Sequence, residues 1–201
     1  MTLALIDIQS GNLASVANAL AAAGATDVVV TADPDIVKAA DRIVLPGVGA
    51  FGACAANLRA VDGLEAALTE AALDQARPFL GICVGMQLMA DTGEELGTHL
   101  GLGWFPGRVR RLDRGTMEAK VPHMGWNDVH PAVDHPLIQP GEAYFLHSYA
   151  FEGVGVVATT DHAGPVTAAI GRDNLLGVQF HPEKSQRYGI ALLERFLAWR
   201  P

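Results

Sequence analysis

The chain has 201 residues, of which 50% are hydrophobic and 18% are charged, so it can bury a sizeable core and is not expected to be disordered. A formal net charge of −8 argues against nucleic acid or an anionic membrane surface as the main partner. The 2 cysteines are too few for a disulfide framework, so a reducing, cytoplasmic compartment is expected. We recognise neither a signal peptide nor an apolar run long enough to cross a bilayer.

Apolar strand-like runs alternate with helical runs through the first half of the chain. Strands are predicted at Leu3–Ile8, Asp27–Thr31, Arg42–Leu45 and Pro78–Cys83, and helices at Asn12–Ala23 and Asn57–Gln75. This alternation predicts an α/β fold with a parallel central sheet flanked by helices. Ligands are then expected beyond the carboxyl ends of the strands.

The second half is dominated by short strands with turns between them. They are predicted at Arg108–Leu112, Ala143–Leu146, Val154–Thr160, Val166–Ile170 and Leu175–Phe180. They indicate an antiparallel or mixed extension of the same sheet, followed by a closing amphipathic helix at Gln186–Trp199. No linker or repeat divides the chain, so residues 1–201 are expected to form one domain with a mostly parallel, mixed sheet.

The run Gly81-Ile82-Cys83-Val84-Gly85 has the pattern of a nucleophile elbow. It follows the apolar pair Phe79-Leu80 and leads into a helix predicted over Met86–Ala90. A sharp strand-to-helix turn of this kind lifts the central side chain, here Cys83, out of the backbone. A helix N-terminus favours the reactive thiolate, and the Val84 N–H can bind an oxyanion. The alternative is a buried structural thiol, the commoner fate of a cysteine and the one we expect for Cys54.

A histidine and a carboxylate follow another buried-looking strand, as His181-Pro182-Glu183. His181 can act as general base toward Cys83 and as general acid toward a leaving amine, with Glu183 orienting its ring. The alternative is a capping pair at a strand–helix turn. The remaining histidines lie in polar or Pro/Gly-rich loops, where surface or turn roles are expected and no metal-site spacing is recognisable: His99, His130, His135 and His162.

The run from Gly47 to Gly52 satisfies the Gly-x-Gly-x-x-Gly pattern of dinucleotide sites. Three observations argue against that function. Pro46 precedes the turn, the turn follows the third predicted strand, and no ribose-binding acid ends a strand about 20 residues further on. A glycine-rich loop whose backbone N–H groups face a reacting carbonyl fits better, with Gly49 as the second oxyanion donor beside Val84.

These residues resemble the triad-type, class I glutamine amidotransferases over essentially the whole chain. Gly81–Gln87 is similar to their nucleophile motif, and His181-Pro182-Glu183 to their His–Glu pair. Within this family, four segments resemble the glutaminase subunits of imidazole glycerol phosphate synthases: Pro46–Gly52, Pro122–Asn127, His147–Tyr149 and His181–Ser185. The chain departs from that pattern at Asp7-Ile8-Gln9, where the family usually has Asp-Tyr-Gly.

The resemblance implies hydrolysis of the glutamine side-chain amide by Cys83, His181 and Glu183, with no cofactor and no metal. It implies that Gln87, Ser148 and Tyr149 hold the amino-acid end of the substrate. It also implies a heterodimer with a β/α-barrel cyclase subunit, which uses the ammonia to make imidazole glycerol phosphate and the aminoimidazole-carboxamide ribotide. Trp126 and Lys184 are expected at that interface.

Three alternatives remain at this point. The chain can serve another pathway, such as aminodeoxychorismate, anthranilate or pyridoxal phosphate synthesis, although the His123–Asn127 segment argues against it. It can be a cysteine hydrolase or peptidase acting alone. It can be a catalytically dead scaffold, although no member of the candidate triad is missing.

Overall fold

A computed structural model describes residues 1–113 and 119–201 of the chain. The described strands are β1 Leu3–Ile6, β2 Val28–Thr31, β3 Arg42–Gly47, β4 Phe79–Cys83, β5 Ala90–Gly93, β6 His99–Leu100, β7 Phe105–Arg111, β8 His123–Pro131, β9 Gly141–His147, β10 Tyr149–Gly153, β11 Val156–Asp161, β12 Pro165–Arg172 and β13 Leu175–Val178. The described α-helices are α1 Leu13–Ala22, α2 Pro34–Ala39, α3 Phe51–Ala60, α4 Leu64–Thr69, α5 Val84–Gln87 and α6 Gln186–Ala198.

Within the described ranges, a nine-stranded mixed sheet forms the centre of the fold, in the order β2-β1-β3-β4-β13-β12-β11-β8-β9. Its strands are parallel from β2 to β13 and antiparallel from β13 to β9. The predicted α/β class is confirmed. The parallel part consists of four strands from the first half of the chain and β13 from the second, and the antiparallel extension comes from the second half.

The parallel strands inside the edge strand β2 are buried along their whole length, because helices cover both faces of this part of the sheet. Every residue of β1, β3, β4 and β13 is buried, and so are the apolar faces of the flanking helices. The parallel pairing of β4 with β3 and with β13 places the carboxyl ends of these strands at one edge of the sheet. This edge is where the candidate site lies.

The prediction that Arg108–Leu112 extends the central sheet is wrong. It corresponds to β7, which belongs to a second sheet of four described strands in the order β10-β7-β5-β6. The sequence also does not reveal β8, because exposed residues such as Met124, Trp126 and Asp128 alternate with less exposed ones and leave no apolar run. The strand forms through its pairing with β9, a contact made by residues distant in sequence.

Two predicted helices differ from those observed. The helix expected over Met86–Ala90 is a single turn, α5, because backbone N–H groups of the segment 102–105 take the carbonyl oxygens of Leu88 and Met89. The helix expected over Asn57–Gln75 is interrupted by Gly63, whose φ of +76° lies in the left-handed region. No helix in the described parts of the chain is long and apolar enough to cross a membrane.

Candidate active site

The predicted nucleophile elbow is present where β4 ends and α5 begins. Cys83 has φ 53° and ψ −110°, a backbone conformation that costs about 1–3 kcal/mol and is typical of functional turns. A Cβ on Gly81 would lie 2.8 Å from the Gly85 carbonyl oxygen, and a Cβ on Gly85 would overlap the Leu45 carbonyl. The two glycines are therefore required by close backbone approach, and they allow Cys83 to sit at the turn.

His181 lies beside this elbow because it follows β13, the strand that pairs with β4. Its Nδ1 is 2.8 Å from Oε1 of Glu183, and both side chains are only 3% exposed. Its remaining ring nitrogen, Nε2, is left to face Cys83, which lines the same cavity and acts to raise the pKa of His181. The candidate triad is thus a contiguous chain of sulfur, imidazole and carboxylate.

The pKa of His181 reflects opposing effects. Burial acts to lower it, but the hydrogen bonds and the negative charges of Cys83 and Glu183 outweigh burial and raise the pKa to about 9. The imidazolium is therefore the favoured form of His181 near neutral pH when it faces these two groups. A protonated ring in this position can donate its Nε2 proton to a leaving amine.

A cavity of about 280 Å³ opens above Cys83. It brings together eight of the residues singled out in the sequence: Gly49, Cys83, Val84, Gln87, Ser148, Tyr149, His181 and Lys184. Glu183 does not line the cavity, since it lies behind His181. Trp126 also lies outside it, on strand β8.

The glycine-rich loop forms one wall of this cavity. A Cβ on Gly47 would come 2.9 Å from the backbone nitrogen of Gly85, so this glycine lets the loop pack directly on the elbow. Gly49 has φ +100°, a conformation that favours glycine. The carbonyl oxygen of Val48 accepts hydrogen bonds from the Ser10 hydroxyl at 2.6 Å and the Cys54 thiol at 3.4 Å. Cys54 is fully buried in α3, and burial raises the pKa of its thiol.

Gln87 lies at the base of the cavity, with its amide nitrogen already engaged. Nε2 of Gln87 donates to the Tyr149 carbonyl oxygen at 2.9 Å and to Oε1 of Gln179 at 3.0 Å. The carbonyl oxygen of Ser148 accepts the Leu112 N–H at 2.9 Å, which fixes this wall against the second sheet. The three predicted substrate-binding residues are therefore adjacent and rigidly held.

Sequence reasoning missed Glu95, which the structure places in the same cavity. Its Oε2 accepts the Phe51 N–H at 2.9 Å and so caps α3. A carboxylate lining a small cavity is suited to bind an ammonium group of a ligand. No local motif marks Glu95, because it reaches the site from the loop after β5.

Sequence reasoning also missed a buried pair of histidines next to the cavity. Nδ1 of His123 lies 3.0 Å from Nε2 of His147, and His147 lines the cavity wall. Burial lowers the pKa of His123 to about 4 and that of His147 to about 3, so both rings are neutral at pH 7.

The rim of the cavity carries an exposed apolar surface on the hairpin β8–β9. Trp126 is 47% exposed, and its ring meets the ring of Tyr144 edge-on, with centroids 6.2 Å apart. The ammonium of Lys184 lies 5.9 Å from the centroid of the same Tyr144 ring. Met124 and Leu146 face each other across the two strands and are also exposed. We call these five residues the rim patch.

Comparison with known proteins agrees with this geometry. The sequence profile of the family "Glutamine amidotransferase class-I" matches residues 4–199. The chain belongs to the class I glutamine amidotransferases. This amidotransferase is 59% identical to the imidazole glycerol phosphate synthase subunit HisH of Zymomonas mobilis, over 100% of this chain and 97% of that protein. It is 51% identical to the subunit of the same name from Rhodospirillum rubrum, over 100% of both chains.

Solved structures resemble this amidotransferase in fold. A crystal structure of a glutamine amidotransferase matches 98% of both chains with a TM-score of 0.75 at 16% identity. The glutaminase domain of CTPS from Trypanosoma brucei, with bound acivicin, matches 98% of this chain and 92% of that one, with a TM-score of 0.69 at 18% identity. At these identities the likeness concerns the fold alone.

Proposed function

We propose that this chain hydrolyses glutamine and passes the ammonia to the cyclase subunit of an imidazole glycerol phosphate synthase. The cyclase then makes imidazole glycerol phosphate and the aminoimidazole-carboxamide ribotide, a step of histidine biosynthesis in the cytoplasm. The observation that carries this proposal is Cys83 beside the hydrogen-bonded pair His181–Glu183 at a cavity of about 280 Å³, in a chain similar over its whole length to HisH subunits.

In the proposed reaction, Cys83 and His181 divide the chemistry between them. The Cys83 thiolate attacks the amide carbon of glutamine, and a carbon–sulfur bond forms. The carbon–nitrogen bond breaks as His181 gives its Nε2 proton to the departing ammonia. Neutral His181 then takes a proton from water, whose oxygen attacks the thioester and releases glutamate and the free cysteine. Glu183 keeps the imidazole oriented and stabilises its charged form.

The carbonyl oxygen of the substrate becomes negatively charged when the thiolate attacks and again when water attacks, and it then needs hydrogen-bond donors. The N–H of Val84, at the start of α5, is one proposed donor, and the N–H of Gly49 is the other. We propose that the orientation of the Val48–Gly49 peptide controls whether this donor is available, and that partner binding changes that orientation. Rotation breaks the hydrogen bonds of the Val48 carbonyl with Ser10 and Cys54, which gives the isolated subunit a reason to resist it.

The amino-acid end of glutamine is proposed to lie against Gln87, Ser148 and Tyr149. These residues line the cavity that also contains Cys83. We add Glu95 to this set, because its carboxylate can pair with the α-ammonium of the substrate.

The partner is proposed to be a β/α-barrel cyclase that forms a heterodimer over the rim patch. Ammonia released into water at neutral pH would be protonated, so the acceptor must cover the cavity mouth. Lys184 lines that mouth, and Trp126 lies beside it with a half-exposed ring. An exposed aromatic next to a cation is a suitable anchor for an interface.

Glutamate release measured with and without the cyclase subunit tests this function. We expect little release from the chain alone, and release stimulated a hundredfold or more when the cyclase and its nucleotide ligand are both present. Strong glutaminase activity that ignores the cyclase would indicate a hydrolase acting alone. Stimulation by a synthase of another pathway instead of the cyclase would also contradict the proposal.

A further inference from the structure

Gln179 is a fully buried polar side chain that contacts the nucleophile. Its exposed fraction is 0%, and its Nε2 lies 3.7 Å from Sγ of Cys83, within the range of an N–H···S hydrogen bond. It lies between β13 and His181, on the segment that carries the candidate general base. The residue is thus placed to act on the sulfur from the side opposite to solvent.

Hydrogen bonds determine which way the oxygen and nitrogen of the Gln179 side-chain amide point. The carbonyl oxygen of Tyr149 can only accept, so the atom of Gln87 that lies 2.9 Å from it must be the amide nitrogen. The second hydrogen of that nitrogen points to Gln179 at 3.0 Å, so the nearby atom of Gln179 must be its oxygen. The nitrogen of Gln179 is therefore turned toward Cys83. Gln179 therefore presents a hydrogen-bond donor to the sulfur, whereas the Leu146 carbonyl oxygen, 4.0 Å from Sγ, is an acceptor.

The Tyr149 carbonyl is itself fixed by the buried histidines. It also accepts from Nδ1 of His147 at 2.9 Å, which makes Nε2 of neutral His147 an acceptor. Nδ1 of His123 then donates to it, and Nε2 of His123 accepts from Nδ2 of Asn127 at 3.1 Å. That same nitrogen donates to the carbonyl oxygen of Asp161, so the direction of every bond is determined.

We propose that Gln179 is a further catalytic residue, whose N–H stabilises the thiolate of Cys83 and holds its sulfur in the cavity. The inference rests on the proposed function, since it assigns a role in glutamine hydrolysis. A hydrogen bond to an anion is stronger than one to a neutral thiol, so the donor favours the ionised nucleophile. Gln87, which donates to both the Tyr149 carbonyl and Gln179, keeps the Gln179 N–H in place when the substrate enters.

Other ionisable groups face Cys83 and enter the same titration. His181 hydrogen-bonds Cys83 and is supported by Glu183. Across the cavity and behind the glycine-rich loop lie Glu95, His147, Lys184 and Cys54. These groups are unchanged by a substitution at Gln179, so a comparison of variants isolates the contribution of the amide.

Alkylation of Cys83 by iodoacetamide, followed by mass spectrometry, tests the proposal without glutamine or a partner. In Gln179→Met, which keeps the length but removes the donor, we expect alkylation at neutral pH to slow by about tenfold, with its pH dependence moved to higher pH. The matched control is Thr167→Val on β12, which removes a buried hydrogen bond to the Phe151 carbonyl on β10 of the second sheet. This variant should keep the wild-type profile.

A folded Gln179→Met protein with the wild-type alkylation profile would overturn the proposal. A second measurement on the unaltered protein covers the case in which that variant does not fold. The NMR signals of the Gln179 side-chain amide should shift with pH as Cys83 ionises, and this shift should be absent in Cys83→Ser. Identical titrations in the two proteins would also refute the assignment. If alkylation behaves as expected but glutamine is not hydrolysed, the proposed function fails instead.

Discussion

Acidification is expected to unfold this protein through the buried pair His123 and His147. The side chains are 4% and 6% exposed. Burial is the main cause that lowers their pKa values, to about 4 and about 3, from 6.5 in an unfolded chain. Protonation would also place two N–H groups face to face across the 3.0 Å contact between the rings.

The sign and size of the effect follow from proton linkage. Below pH 6.5 the unfolded chain binds protons at these two sites that the folded chain does not bind. The stability that the pair provides is therefore complete above that pH and is lost as the pH falls. Between pH 7 and pH 5 each histidine lowers the free energy of unfolding by about 2 kcal/mol, so the pair lowers it by about 4 kcal/mol. This is a large part of the ~5–15 kcal/mol that stabilises a typical domain.

Urea unfolding followed by tryptophan fluorescence at pH 7 and pH 5 measures this loss. The double variant His123→Gln/His147→Gln should lose about 4 kcal/mol less than the wild type between the two pH values. His130→Gln, which removes an exposed histidine from the same strand as His123, is the control and should behave as the wild type. Equal losses in the wild type and the double variant would refute the reasoning.

Four further predictions concern activity. Cys83→Ala should abolish glutamine-dependent synthesis while ammonium salts still support the cyclase, and retained glutaminase activity would exclude the cysteine mechanism. His181→Ala should reduce the kcat of glutamate release nearly as much as Cys83→Ala. Glu183→Gln should reduce it less, because glutamine keeps the hydrogen bond to His181 but not the charge. A larger loss of kcat in Glu183→Gln than in His181→Ala would require the two roles to be reassigned. Glu95→Gln should raise KM for glutamine about tenfold with a smaller change in kcat, and an unchanged KM would remove Glu95 from the substrate site. Trp126→Ala should weaken cyclase binding or coupling with little change in Tm of the isolated subunit, while a large drop in Tm would assign Trp126 to packing.

The fold and the centre of the candidate site could be predicted because their signals are local. The alternation of strands and helices predicts the parallel half of the sheet, and Gly81 and Gly85 mark the elbow because a side chain there would collide with the backbone. Glu95, Gln179 and the pair His123–His147 could not be found this way. Their roles depend on contacts across 24 to 96 positions of sequence, which no periodicity or motif records.

The one-residue connection at Ser148 restricts how this protein can be engineered. Strand β9 of the large sheet ends at His147 and strand β10 of the small sheet begins at Tyr149, so one residue joins the two sheets. Insertion of even a single residue at this junction would shift the pairing of one strand or the other and reverse which side chains face the cavity. Chimeras that exchange the small sheet between amidotransferases must therefore be cut outside residues 147–149.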